Sequence, residues 1–555
     1  MPDIIFIYAE RGAEKQTTLK AEKGQKIIEA ARRGGIKIET PCNGLGTCGK
    51  CGVRDAGTGE FILACQGTIE GDAAYILRDY ENENDSLRIL SEGSSFDYSL
   101  EPFITKRFVK GRTEVYGGEE LWGLEDHDTS GLLYGIAVDI GTTTIVANLV
   151  DIAGGKCLAS VSALNPQAHY AQDVLGRIHF AGRDGGLQVL YRAFIEKLNQ
   201  IIGDLIWKTK IKAAHIYELV YSGNTTMLHL ACNVDPSGLG KYPYTPAIYG
   251  GCHVMAKDLA VSPFARIYLP PVISAYVGAD ITSGLLITRL EERKGSVLFI
   301  DIGTNGEMAF AKDGRIAASS TAAGPAFEGM NISCGMRASA GAVESFAVNG
   351  DGSCVYAVIG GGKNRAEAAG ICGSGLLDIA GELVRTGVID SRGRFVPPDK
   401  GSYSDLLKER MGQIEGKNAF FITGGVYLAQ KDIRQIQLAK GAIRCGIEML
   451  LSRFAFAAGA GDDAGDSPAD IDEIIIAGSF GYHLNEESLL NIGLLPPRCR
   501  GKISFAGNTS LSGAEAFLLN ASFRRKMKEV TAGVEKIELA QDAEFERTFI
   551  KYMGF

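Results

Sequence analysis

The chain has 555 residues, of which 45% are hydrophobic and 22% charged, and its formal net charge is −9. This length predicts about three or four domains of ordinary globular composition. No apolar run approaches the roughly 18 residues of a membrane helix, the N-terminal MPDIIFIYAERG is not a signal peptide, and no basic stripe indicates nucleic acid, so we expect a cytoplasmic protein without a membrane or nucleic-acid partner.

Residues 1–80 predict a small α+β domain of β-grasp type. DIIFIY and KQTTLKA are typical of two strands, and GQKIIEAARRGG of a helix with Ile27, Ile28 and Ala31 on one face. Two short strands, EFILACQGTI and AAYIL, follow a cysteine-rich loop. The order is strand, strand, helix, cysteine loop and strand.

The cysteine-rich loop predicts a metal centre. Cys42, Cys48 and Cys51 form a C-x5-C-x2-C pattern, and Cys65 follows fourteen positions later. Four thiolates from one loop and a nearby strand suit the two irons of a [2Fe–2S] cluster, each of which takes two sulfurs. A structural zinc ion usually takes two separated C-x2-C pairs. We therefore favour [2Fe–2S] over zinc, and free or redox-active thiols are the third alternative.

Residues 81–133 are polar and acidic, with twelve acidic and five basic side chains. Such a charge run is typically a solvated surface. We interpret the segment as an acidic, mostly irregular linker with some local structure.

From residue 134 the pattern changes to α/β, and it occurs twice. YGIAVDIGTTTI and GSVLFIDIGTNGEM each place an Asp-Ile-Gly-Thr turn after an apolar strand, and each continues into a second strand. Asp139 and Asp301 mark the two copies. The recurrence predicts a duplicated α/β domain, with subdomains at residues 134–295 and 296–555.

Both turns have the chemistry of a phosphate site. Glycine allows the backbone to approach closely, and threonine and asparagine supply donors to phosphate oxygens. The predicted phosphate-binding residues are Gly141, Thr142, Thr143, Thr144, Gly303, Thr304 and Asn305. Asp139 and Asp301 repel phosphate, so we expect them to hold Mg²⁺ through water or to orient the attacking water. One such turn alone is equally typical of a glycine β-turn with a capping aspartate.

Three glycine-rich stretches are candidates for the remainder of a nucleotide cleft. IIIAGSFG ends a buried strand in small residues, where a flat adenine or ribose could pack. GICGSG and ITGG could line the same cleft, and Cys372 within GICGSG is interpreted as a small residue rather than a nucleophile. The predicted residues are Gly373, Ser374, Gly375, Gly424, Gly425, Gly478, Ser479, Phe480 and Gly481.

These motifs carry three resemblances. The N-terminal unit resembles the ferredoxins, and the two turns with the glycine-rich stretches resemble the ribonuclease-H-like ATPases of the acetate kinase, sugar kinase, Hsp70 and actin superfamily. GIAVDIGTTTI, GNTTMLHL, LFIDIGTNGEM, AGPAFEG, GICGSGLLD, QLAKGAI and AGSFG stand in the order found in the reductive activators of corrinoid proteins. The shortened stretch from Cys51 to Cys65 and the brief linker depart from that family.

The last resemblance implies a function. It implies ATP-dependent reductive activation, in which one electron passes from a [2Fe–2S] cluster to cob(II)alamin and regenerates cob(I)alamin in a methyl-transfer system. A corrinoid protein, an upstream electron donor and a homodimer are the implied partners. Residues 139–144 and 301–305 would be the phosphate turns and residues 478–481 the adenosine turn. Glu307 would act with Asp139 and Asp301 in catalysis, and Glu328 would lie near the γ-phosphate, although either glutamate is equally typical of a salt-bridged surface carboxylate.

Other functions remain open at this point. The chain could be a ferredoxin fused to a nucleotide sensor that does not hydrolyse ATP. It could also donate electrons, driven by ATP, to a radical or dehydratase enzyme, but such activators commonly bridge one cluster between two subunits. A plain sugar or acetate kinase would have no use for the cluster.

Overall fold

A computed structural model describes residues 1–10, 13–36, 38, 51–77, 96–363, 368–457, 470–478, 484–539 and 542–555. Within these ranges, no helix combines the length and the apolar character that crossing a bilayer requires.

The N-terminal residues form a five-stranded sheet with one helix packed on it. The elements are β1 (Asp3–Glu10), β2 (Ala13–Lys20), α1 (Ile27–Arg33), β3 (Gly52–Asp55), β4 (Phe61–Leu63) and β5 (Ala73–Leu77). The strand order is β2-β1-β5-β3-β4, and β1 runs parallel to β5. Ile27 and Ile28 of α1 share one buried core with Ile4 and Phe6 of β1. This is the β-grasp arrangement that the apolar pattern predicts.

The acidic segment after this domain is more ordered than its composition predicts. β6 (Ile104–Val109), β7 (Arg112–Gly117) and β8 (Glu120–Glu125) form an antiparallel three-stranded sheet, which gives the local structure expected within this linker a regular form. Ile104 and Val115 are fully buried, while most of the charged side chains around them are exposed. A few apolar side chains therefore order the segment, and the average composition does not reveal them.

A buried ion pair between Glu218 and Arg524 packs against Phe103, the residue before this small sheet. The Arg524 guanidinium donates to both carboxylate oxygens of Glu218, at 2.9 and 2.8 Å. It also lies over the rings of Phe103 and Tyr268, 4.7 and 4.3 Å from their centres. Burial raises the pKa of Glu218, but Arg524 and His253 outweigh that effect and hold it below its usual value.

Residues 134–293 form the first of two six-stranded sheets, together with four helices. Its elements are β9 (Tyr134–Ile140), β10 (Thr144–Asp151), β11 (Lys156–Leu164), α2 (Val174–Ala181), α3 (Gly186–Thr209), β12 (Ile216–Gly223), α4 (Thr225–Ala231), β13 (Cys252–Met255), β14 (Arg266–Leu269) and α5 (Ala279–Thr288). The strand order is β11-β10-β9-β12-β14-β13. β9 to β11 form an antiparallel meander, and β12 lies parallel to β9.

The remaining residues form the second six-stranded sheet and two smaller sheets. The elements are β15 (Ser296–Ile302), β16 (Gly306–Lys312), β17 (Arg315–Thr321), β18 (Ala342–Val348), β19 (Cys354–Val358), β20 (Gly362–Lys363), β21 (Gly370–Ile371), α6 (Gly373–Arg385), α7 (Asp405–Lys408), β22 (Met411–Ile414), β23 (Lys417–Thr423), β24 (Val426–Ala429), α8 (Gln430–Ala457), β25 (Glu473–Ala477), α9 (Glu486–Asn491), β26 (Ile503–Gly507), α10 (Thr509–Leu519), α11 (Ser522–Gly533), β27 (Glu535–Lys536) and α12 (Phe545–Lys551).

The second large sheet repeats the topology of the first. Its order is β26-β25-β15-β16-β17-β27, so each sheet has a three-stranded meander with two parallel strands beyond the first strand of the meander. Helices α5 and α10 contribute to one buried core that contains residues of both sheets. The predicted boundary at residue 295 therefore separates the two sheets along the chain but does not separate their packing.

Candidate functional site

The two Asp-Ile-Gly-Thr turns face one cavity of about 180 Å³. Each turn joins the first two strands of its meander, β9 to β10 and β15 to β16, so the repeated topology places both at equivalent sheet ends. Among the sequence-predicted residues, the cavity wall contains Asp139, Gly141, Thr142, Thr143, Thr144, Asp301, Gly303, Thr304, Asn305, Glu307, Glu328, Gly373 and Gly478. The structure thus brings together residues that are up to 339 positions apart.

Other predicted residues do not lie in this wall. Gly424 and Gly425 are exposed in the turn between β23 and β24. Ser374 donates to the backbone oxygen of Glu344 at 2.7 Å, and a Cβ at Gly375 would come within 2.1 Å of the Val343 oxygen, so both residues pack α6 against β18. Ser479, Phe480 and Gly481 lie outside the described residues.

Gly478 brings the end of β25 against the second turn. Its φ is +112°, and a Cβ there would come within 2.6 Å of the Ile302 oxygen and 3.1 Å of Asp301 Oδ1. A larger side chain would therefore strain the backbone and push the second turn out of place.

Buried carboxyl groups give the cavity its electrostatic character. Burial raises the pKa of Asp139, against hydrogen bonds from Ser510 Oγ (2.7 Å) and Asn508 Nδ2 (2.8 Å). Burial, with repulsion from Asp280 and Asp139, raises the pKa of Asp301 to about 8. Burial, with repulsion from Asp139, also raises the pKa of Asp280 to about 7. Carboxyl groups that repel one another in this way are stabilised by a bound cation.

Glu307 belongs to the same acidic group. It is 6% exposed, and burial with the charges of Asp280 and Asp301 raises its pKa well above the usual value. The Asn305 side chain donates to it at 3.2 Å. Within the described ranges, no three His, Cys, Asp or Glu side chains are grouped as direct ligands of one metal ion. The carboxylate oxygens of this acidic group suit a hard divalent cation.

Sequence reasoning missed Asp280 and the two donors to Asp139. Asp280 lies in the first turn of α5, where an acidic residue is unremarkable because it favours the helix dipole. Asn508 caps α10, with its Oδ1 accepting from the Leu511 N–H at 2.9 Å, and Ser510 follows within the helix. A helix cap at Asn508 can be predicted from the sequence, but the proximity of Asn508 and Ser510 to Asp139 cannot.

Buried polar side chains donate hydrogen bonds to the backbone oxygens of the first turn. Asn165 donates from its backbone N–H to the Thr143 oxygen and from its side chain to the Gly141 oxygen, both at 2.8 Å. The fully buried Arg177 donates to the Thr142 oxygen. Burial lowers the pKa of Arg177 to about 9. Arg337 lies in the cavity wall itself and adds a positive charge among the acids. Nothing in the sequence around these residues distinguishes them as part of the site.

Glu328 connects the two turns. The hydroxyl of Thr143 in the first turn donates to Glu328 Oε2, and the hydroxyl of Thr304 in the second donates to Oε1 at 2.5 Å. We call this arrangement the Glu328 bridge. It joins the predicted phosphate-binding hydroxyls of both copies through one carboxylate.

Helix α10 connects the acidic cavity to the segment that precedes β6. At its start, Asn508 and Ser510 bond to Asp139. At its other end, the Leu519 oxygen accepts the Glu101 N–H at 2.9 Å, and the Ala521 N–H donates to the Glu101 oxygen at 2.7 Å. Helix α10 and its flanking residues therefore contact both Asp139 and Glu101.

Two of the four predicted cluster ligands lie within the described residues. Cys51 immediately precedes β3 and Cys65 closely follows β4, and the Ala64 N–H donates to the Cys51 oxygen at 2.9 Å. Both cysteines are buried and neither forms a disulfide with a described residue. The β3–β4 hairpin thus returns Cys65 to the side of Cys51 despite the short gap. This placement fits two ligands of one cluster, whereas Cys42 and Cys48 lie outside the described residues.

The chain matches three family models. They are the 2Fe-2S iron-sulfur cluster binding domain over residues 12–70, the RACo middle region over 134–293, and the C-terminal domain of RACo, the ASKHA domain, over 295–555. These matches confirm the predicted fold class of a ferredoxin-type domain followed by a nucleotide-binding domain of the ASKHA type. The predicted domain boundaries stay predictions.

Individual relatives match along most of the chain. Corrinoid activation enzyme RamQ of Eubacterium limosum is 32% identical over 579 aligned residues, covering 93% of this chain and 94% of that protein. A Co(II) methylated amine-specific corrinoid protein reductase of Methanosarcina barkeri is 25% identical, covering 70% of this chain and 71% of that protein. The solved structure of a reductive activator for corrinoid, iron-sulfur protein superposes with a TM-score of 0.72 at 28% identity, covering 100% of this chain and 98% of that one.

Proposed function

Because this chain belongs to the family of corrinoid activation enzymes, we propose that it couples ATP hydrolysis to the one-electron reduction of a Co(II) corrinoid protein. The product would be the Co(I) form used by a methyl-transfer system. The observation that carries the proposal is the meeting of both phosphate-type turns at one acidic cavity, on a chain that also matches the 2Fe-2S binding domain.

We assign the nucleotide to the cavity. The two turns would hold the phosphates through backbone and hydroxyl donors, and Gly478 with residues 479–481 would leave room for adenosine. Asp139 and Asp301 would hold Mg²⁺ through water and orient the attacking water, with Glu307 close to the terminal phosphate. Burial of these acids supports the assignment, because a divalent cation relieves their mutual repulsion.

We assign the cluster to Cys42, Cys48, Cys51 and Cys65. When bound, a [2Fe–2S] cluster supplies a low-potential one-electron donor, near about −400 mV in plant-type ferredoxins. The chain's own cysteines would hold it beside the β3–β4 hairpin, and the hydrogen bond from the Ala64 N–H to the Cys51 oxygen supports the assignment of the last two ligands. An upstream electron donor is required, since each delivered electron must be replaced. The expected homodimer stays a prediction.

ATP is needed for an energetic reason. For a one-electron step, every ~59 mV uphill costs about 1.4 kcal/mol. Delivering an electron to a centre that is harder to reduce than the cluster therefore requires an additional source of free energy. We assign the coupling to α10, because it contacts Asp139 at one end and Glu101 at the other. Phosphate binding at the first turn would then alter the segment through which the cluster domain is attached.

One mixing experiment tests the function. The chain, reconstituted anaerobically with iron and sulfide, is combined with a Co(II) corrinoid protein, a chemical reductant and Mg-ATP. We expect the Co(I) absorption spectrum to appear with ATP and not without it. Reduction that proceeds equally without nucleotide would refute the coupling. Reduction that needs ATP binding but shows no turnover would instead favour a nucleotide sensor.

A further inference from the structure

The Glu328 bridge places a carboxylate at the hydroxyls that the proposed function assigns to phosphate oxygens. Thr143 and Thr304 come from different sheets, and Glu328 accepts a hydrogen bond from each of them. A carboxylate and a phosphate are both anionic oxygen acceptors. Glu328 therefore occupies the chemical role of a phosphate group within the protein's own chain.

The backbone around Glu328 allows the side chain to be presented to both turns. Glu328 ends the short 3-10 helix Pro325–Glu328, and glycines with positive φ flank it, Gly324 at +78° and Gly329 at +76°. Phe327 is fully buried and anchors the helix in the core of the second sheet. The helix that carries Glu328 is thus packed in the core, while Glu328 itself is only half-buried.

Hydroxyl stoichiometry makes the bridge and a bound phosphate exclusive. A threonine hydroxyl has one proton, so it donates to one acceptor at a time. A phosphate oxygen that accepts a hydrogen bond from Thr143 or Thr304 therefore replaces Glu328 as the acceptor of that hydroxyl. The negative charges of carboxylate and phosphate also repel each other, and this repulsion is strong in a partly buried site.

We propose that Glu328 is an internal competitor of the terminal phosphate of ATP, which lowers the affinity for ATP relative to ADP. The inference rests on the proposed nucleotide site. The γ-phosphate is the group that reaches between the two turns, and it must break the bridge, whereas ADP binds with the bridge intact. After hydrolysis and loss of phosphate, Glu328 recovers both hydroxyls and the two turns are joined again.

The bridge also ties nucleotide state to the relation between the two sheets. Thr143 lies in the turn between β9 and β10 of the first sheet, whereas Thr304 lies in the turn between β15 and β16 of the second, and Glu328 lies in the 3-10 helix that follows β17. With the bridge formed, one carboxylate holds the sheets together at the cavity. When the bridge is broken, the bound phosphate contacts both turns in place of Glu328. The hydrogen-bond partner of Thr143 then depends on the nucleotide that is bound.

Glu328→Gln tests the competition, because glutamine keeps the size of the side chain and removes its charge. Titration calorimetry with Mg²⁺ measures the dissociation constants of AMP-PNP and ADP for the full chain. We expect the dissociation constant for AMP-PNP to fall about tenfold, because the phosphate no longer has to displace a charge-assisted hydrogen bond to Glu328. The dissociation constant for ADP should change less than about threefold. Glu328→Asp, which is too short to reach both hydroxyls, should act in the same direction.

Glu382→Gln is the control, since Glu382 is likewise a half-buried glutamate that accepts a hydrogen bond, in its case from the Val348 N–H at 2.7 Å, but it lies outside the cavity wall. It should leave both constants unchanged. An equal change for AMP-PNP and ADP in Glu328→Gln, unchanged binding with slower hydrolysis, or weaker AMP-PNP binding would each overturn the inference. If the unaltered chain binds neither nucleotide, the proposed function itself fails.

Discussion

Replacing Arg524 with methionine tests how much the buried ion pair with Glu218 stabilises the fold. Methionine keeps much of the side-chain length but leaves a fully buried carboxylate without its bidentate partner. Phe103, which packs under the guanidinium, loses its cationic neighbour at the same time.

The expected loss is large because the charge left behind is buried. Removing one partner of a buried ion pair costs about 3–5 kcal/mol. For a cooperative unit of about 400 residues, this lowers the unfolding temperature by about 3–6 °C. Thermal unfolding followed by circular dichroism measures it, and Arg525→Met is the control, since Arg525 is exposed on the same helix.

The sign of the pH dependence separates this mechanism from a simple packing defect. In the unaltered chain the pKa of Glu218 is depressed, so its contribution to stability is present above the unfolded pKa and is lost only as pH falls through the lower folded value. Without Arg524, burial raises the pKa of Glu218 above its unfolded value. The variant then loses stability as pH rises through that window, so its deficit is smaller at pH 5 than at pH 8.

His253 also contacts this carboxylate, with its Nε2 2.8 Å from Glu218 Oε1, and contributes with Arg524 to lowering the pKa of Glu218. A deficit below about 1 kcal/mol, or one that does not change with pH, would contradict the account. Adding Glu218→Gln to Arg524→Met should recover part of the loss, since the uncompensated charge is then removed.

Three further predictions concern the proposed sites. Cys65→Ser should lower the iron content below two per chain and remove the visible absorption, whereas Cys157→Ser, at an exposed cysteine, should keep both; an unchanged spectrum in Cys65→Ser would exclude it as a ligand. Asp139→Asn should lower ATP hydrolysis at least about 100-fold while leaving the cluster spectrum intact, and Asp151→Asn at the last residue of β10 should hydrolyse ATP normally; equal rates would refute the assignment of the first turn. Arg337→Met should raise the dissociation constant for ATP about 10-fold or more by removing a positive charge from the cavity wall; an unchanged constant would show that Arg337 does not contact phosphate.

The cysteine spacing and both Asp-Ile-Gly-Thr turns were predictable because each depends on a short piece of chain. A strand, a glycine turn and a second strand fold within about twenty residues, and their repetition indicates a duplicated unit. The resemblance to corrinoid activators depends on the order of such local motifs. Similarity to RamQ along 93% of the chain confirms the family.

The contacts of Asp139 were not predictable in the same way. Its hydrogen-bond partner Asn508 is 369 residues away, and nothing near Asn508 distinguishes it from an ordinary helix cap. Asp280 has the same difficulty, since it reads as a favourable charge at the start of α5. The small β6–β8 sheet was obscured by the charged residues that surround its few buried side chains.

The amino-acid sequence by itself determined the ligand types, the two phosphate-type turns and the order of the domains, because these follow from local spacing and backbone chemistry. Only the tertiary structure decided which groups meet. It placed Glu328 between Thr143 and Thr304, returned Cys65 to the side of Cys51, and set α10 between Asp139 and Glu101. These meetings depend on how two sheets share one core, and burial in that core sets the charge and pKa of each acid.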